Sequence, residues 1–122
     1  MKLIRWMSIG LCILVMGCGG STVRIEGELD SPFQHVITGN QLLNVGKWEG
    51  ALREFNRALE LDAAYLPAYI GLSDTYGAMG EFDNGLEYLS EAERLAQSPE
   101  DKALVKGGIE RLRKRMRDSS AQ

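Results

Sequence analysis

Few side chains in this 122-residue chain could carry reactive chemistry. His35 is the only histidine, and Cys12 and Cys18 are the only cysteines, too sparse a set for a cysteine–histidine metal site. No phosphate loop, nucleophile elbow or metal-spaced cluster is present. Glu91 and Glu93 lie two residues apart, so on a helix they point in different directions and form no acid–base pair. The expectation is a protein that is not an enzyme and holds no metal and no cofactor. Two features remain: the Cys18 thiol at the end of an apolar run, and five cations between Arg111 and Arg117.

The setting of Cys18 suggests what its thiol does. Lys2 and Arg5 precede an apolar stretch from Trp6 to Met16, broken only by Ser8 and Gly10. Eleven residues are too few for a membrane-spanning helix, which needs about 20. A basic start, a short apolar middle and a small residue at the end describe a secretory signal peptide over residues 1–17. Gly17-Cys18-Gly19-Gly20-Ser21 then releases the chain from helix. Cys18 is either a plain thiol after ordinary cleavage or a modified one. Residues 18–31 follow as a flexible tether, with Val23-Arg24-Ile25-Glu26 alternating like a strand that has no partner run.

The sequence Leu14-Val15-Met16-Gly17-Cys18 resembles the lipobox of bacterial lipoprotein precursors. The resemblance implies that a diacylglycerol is attached to the Cys18 thiol, that the chain is cut before it, and that the new amine is acylated. Several acyl chains hold a protein firmly where one holds it only reversibly. Gly19 in place of an acid after the cysteine implies the outer membrane, facing the periplasm, in a bacterium that has one.

The remainder must position whatever else the protein does. Hydrophobic residues make up 44% and charged residues 25%, as in an ordinary folded domain. Shifted by 34 residues, the chain matches itself: Gly46-Lys47-Trp48-Glu49 falls on Gly80-Glu81-Phe82-Asp83, and Leu52, Ala58 and Leu61 fall on Leu86, Ala92 and Leu95. Ser31-Pro32 and Ser98-Pro99 read as helix starts, and Gly46 and Gly80 as helix stops. The predicted fold class is all-α, with helices at about 32–45, 48–61, 66–79, 82–96 and 99–116.

Residues 66–99 place Tyr69, Leu72, Ser73, Tyr76, Gly85, Leu89 and Ala92 at alternating large and small sites; residues 32–65 place His35, Thr38, Gly39, Leu42, Ala51, Phe55 and Ala58 at the same sites. This pattern resembles the tetratricopeptide repeat, a helix–turn–helix unit that stacks into a short α-solenoid. The small residues let antiparallel helices approach within about 8–10 Å. Residues 32–65 then form a degenerate first repeat, 66–99 a second, 100–117 a capping helix and 118–122 a disordered tail. Ala103, Leu104, Ile109, Leu112 and Met116 are expected to cover the second repeat. Trp48, aligned with Phe82, is expected to be core or a staple rather than a ligand platform. Two repeats are few, which predicts marginal stability or self-association.

The resemblance also implies a partner groove lined by the first helix of each repeat. The lining residues would be Phe33, Val36, Asn40, Leu43 and Asn44, then Pro67, Ile70, Asp74, Gly77 and Ala78. Neither helix has a Lys or Arg, so the expected partner is an apolar or mildly basic protein segment. Residues 32–99 carry four bases against ten acids, net −6, whereas residues 100–122 carry seven against four, net +3. With a formal charge of −3 overall, general nucleic-acid binding is not expected. The basic cluster either contacts phosphate or is a solvated helix end. Together these readings predict a lipid-anchored interaction module of the cell envelope, an adaptor or assembly factor. The alternatives are a self-associating scaffold and an accessory subunit of a pilus or secretion complex.

Overall fold

A computed structural model describes residues 30–122. The expected signal peptide, Cys18 and nearly all of the expected tether lie outside the described residues. Within them the chain forms five helices: α1 (Pro32–Asn44), α2 (Trp48–Leu61), α3 (Leu66–Met79), α4 (Phe82–Leu95) and α5 (Pro99–Ser120). Each consecutive pair packs together, and α5 closes against both α3 and α4. The fold is all-α, two helix–turn–helix units and a closing helix in a short solenoid-like stack.

Local chemistry sets the helix ends. The Ser31 hydroxyl accepts from the Gln34 amide at the start of α1. At the start of α5, Ser98 and Asp101 satisfy each other's backbone amides in a capping box. Both interhelix turns within the units pass through a left-handed glycine, Gly46 with φ 75° and Gly80 with φ 79°. In each, the residue after the glycine donates to a carbonyl five residues back, Lys47 to Leu42 and Glu81 to Tyr76, both at 2.9 Å. The 34-residue period is thus repeated in backbone geometry.

The core is split in two. One cluster joins Val36, Ala51, Phe55, Ala58, Ala68 and Leu72, between the first unit and α3. The other joins Leu66, Ile70, Leu89, Ala92, Val105 and Leu112, between the second unit and α5. Small residues fall where helices nearly touch. A Cβ on Gly39 would meet the Phe55 ring at 2.7 Å, and one on Gly85 would meet the Ser73 carbonyl at 3.2 Å. Tyr76 and Tyr88 stack at 5.6 Å between α3 and α4, and Tyr69 donates its hydroxyl hydrogen to the Ala63 carbonyl.

The closing helix differs from its expected form in two ways. It runs through Ser120 rather than ending near 116, and so takes in residues 118–120 of the expected disordered tail; no Gly or Pro follows Pro99 and the glycines at 107–108 to stop it. Its inward face is Val105, Gly108 and Leu112, with Ile109 and Met116 packed beside them. Ala103 and Leu104 point away, and Leu104 is 43% exposed. Gly108 is inward because a Cβ there would meet Leu89 at 2.9 Å.

Candidate functional site: an interhelix groove

A groove of about 580 Å³ runs across α1, α3 and α5. Asn40, Leu43 and Asn44 line it from α1, Asp74 and Ala78 from α3, and Arg111 and Arg115 from α5, with Gly46 and Trp48 at one end. Five residues expected to line a groove therefore meet here: Asn40, Leu43, Asn44, Asp74 and Ala78.

Five others do not: Phe33, Val36, Pro67, Ile70 and Gly77. Val36 and Ile70 are buried, at 9% and 5% exposure, and serve the two core clusters. In a helix that packs on both sides, the apolar stripe is wide enough to draw these positions inward. Phe33 is 63% exposed in the first turn of α1, outside the groove lining. Trp48, expected to be core or a staple rather than a ligand platform, is 40% exposed and lines the groove. Its 34-residue counterpart Phe82 is half-buried against the second cluster, where α5 supplies Met116. Equivalent register positions thus meet unequal surroundings.

The sequence reading also missed the third wall. α1 and α3 carry no Lys or Arg, but α5 brings Arg111 and Arg115 onto their face. Arg111 grips the Asp74 carboxylate with Nε and Nη2, the latter at 2.8 Å, and this pair raises the guanidinium pKa further. Asp74 is only 17% exposed at its side chain, so its charge is answered from within the chain. The Arg115 stem lies over Gly77, where a Cβ would meet its Cδ at 3.2 Å. Arg111 lies 34 residues beyond Gly77 but Arg115 lies 34 beyond Glu81, so the repeat register alone does not bring both to this face.

A second polar cluster lies on the first unit. His35 Nδ1 contacts Glu54 Oε2 at 2.7 Å, and Nε2 contacts Asp30 Oδ1 at 2.9 Å. Two carboxylates on two ring nitrogens require both N–H groups, hence the imidazolium. Asp30, and then Glu54, raise the His35 pKa above 6.5. Arg57 holds the other Asp30 oxygen at 2.8 Å. His35 and Arg57 together pull the Asp30 carboxyl below its usual range. Because the carboxylates sit on opposite ring nitrogens, they do not converge on one point. Among the described residues no group of three or more His, Cys, Asp or Glu side chains is placed to hold a metal ion.

Comparison with protein-family models, curated proteins and solved structures returns no match. No helix among the described residues is long and apolar enough to cross a membrane.

Proposed function

We propose that this chain is a non-catalytic, lipid-anchored protein-interaction module of a bacterial envelope, built on tetratricopeptide-like repeats and acting as an adaptor or assembly factor. The anchor reading rests on the basic start, the short apolar run and Leu14-Val15-Met16-Gly17-Cys18. The observation that carries the interaction reading is the groove itself. Asn40, Asn44 and Trp48 line it as exposed residues, and Leu43 lines it half-buried at the edge of the first core cluster. An exposed tryptophan beside an aliphatic residue and two amides is the kind of surface that anchors a peptide segment. Because Arg111 already answers Asp74, the partner segment is better described as apolar and hydrogen-bonding than as basic.

A photocrosslinker at Leu43, compared with one at exposed Asn56 on α2, tests the groove in cells. A discrete product seen only from Leu43 supports the reading. Equal products, or none, remove it. Intact mass and fractionation beside a Cys18→Ser variant test the anchor separately. Exposed Phe33 favours a second reading, self-association through the α1 end. Sedimentation showing a monomer across micromolar concentrations would count against it.

A further inference from the structure

We propose that the last turns of α5 form an electrostatic docking surface for the anionic headgroups of a membrane. Arg111, Arg113, Lys114, Arg115 and Arg117 put five cations into seven residues, and all five are exposed. Among the described residues only Arg111 has an acid partner. At 100° per residue the five cover an arc of about 200°, the side of α5 away from Leu112 and Met116, rather than one narrow stripe. Such a wrap suits a broad field better than a shaped ligand. Leu112 and Met116, the two apolar residues of the stretch, both pack into the second core cluster. None is left to insert into lipid, so the contact is a surface one and sensitive to salt. The dipole of α5 accounts for one or two cations in its last turn, not for five.

Charge elsewhere gives the contact a direction. Residues 32–99 are net −6, so among the described residues an anionic surface repels them and attracts only this end. A nucleic-acid duplex gains most from a basic face that follows it over many phosphates, and here acidic helices flank the patch. The lipid surface is therefore the better match. The contact does not rest on acylation of Cys18, and its test omits that group.

The full-length chain carrying Cys18→Ser is sedimented with vesicles of phosphatidylcholine alone and of equimolar phosphatidylcholine and phosphatidylglycerol. The expected result is a preference for the anionic vesicles that closes as salt is raised. Arg113→Gln, Lys114→Gln and Arg117→Gln together avoid both Arg111 and the packed stem of Arg115. This triple variant should lose on the order of a hundredfold of the anionic-lipid binding with unchanged helical circular dichroism. Arg113→Lys with Arg117→Lys should retain it. Lack of lipid preference in the parent, or equal binding by the triple variant, overturns the proposal. Tighter binding of the parent to duplex DNA than to anionic vesicles at the same salt also overturns it, and reassigns the surface.

Discussion

The Phe55 ring of α2 lies so close to the Gly71 backbone of α3 that a Cβ there would stand 2.3 Å from its Cε1. The same ring also presses on Gly39 of α1, so one side chain joins three helices. Phe55 is fully buried and cannot swing out without opening the first core cluster. Gly→Ala inside a helix ordinarily stabilises by about 1 kcal/mol. At Gly71 the sign should reverse, with a net loss of roughly 2 kcal/mol from overpacking. Phe55→Ala should cost about 3–5 kcal/mol. Urea melts of the two variants check both, and Gly71→Ala combined with Phe55→Leu should recover part of the first loss.

Ser73 offers the opposite case. Its hydroxyl is wholly buried and has no hydrogen-bond partner. It is the Ser73 carbonyl, not the hydroxyl, that faces Gly85. Ser73→Ala should raise stability by up to about 1 kcal/mol, since an unsatisfied buried polar group is removed at nearly constant volume. A lower Tm for this variant would show that the hydroxyl has a partner after all.

Stability should depend on pH through His35. Its folded-state pKa is raised, so its contribution is complete below the unfolded value of 6.5 and is lost as pH rises through the folded value. Asp30 is lowered, so its contribution is present above 3.8 and is lost as pH falls through its folded value. The window for both lies between these limits. Thermal melts should show a decline on the alkaline side that His35→Gln abolishes.

Asp74→Asn should leave Arg111 without its fork while keeping the groove's shape. The pair is partly screened, so the cost should be about 1 kcal/mol. The more informative readout is chemical. With Asp74 neutral, the groove becomes more positive, and a peptide bearing a carboxylate should bind more tightly than to the parent chain. Trp48, at the groove's end, reports this directly through its emission. No change in preference would mean that Arg111 and Arg115 do not face the bound segment.

Helix number, and every limit but the end of α5, were legible because the punctuation is local. Ser31-Pro32, Gly46, Gly80 and Ser98-Pro99 each dictate backbone conformation by themselves. Much of the core was legible too, since Gly39, Ala51, Phe55, Ala58, Leu72, Leu89 and Ala92 repeat a size pattern that packing enforces. The groove was half legible. Asn40, Leu43, Asn44 and Asp74 follow from register, but Val36 and Ile70 share that register and are drawn inward by neighbours on α2 and α5. Arg111, Arg115 and Trp48 depend on how the closing helix sits and on what covers each unit, and no pattern within one repeat encodes that.

The two ends of the stack differ in a way that limits how copies can combine. The outward side of α5 presents Ala103, Lys106, Glu110 and Lys114, all exposed, where a following helix would have to lie. At the opposite end α1 leaves Phe33 bare. A stack with one sticky end and one charged end cannot add copies head to tail. Two copies meeting through α1 would leave only charged ends outward, and growth would stop at a closed pair rather than run on into a fibre.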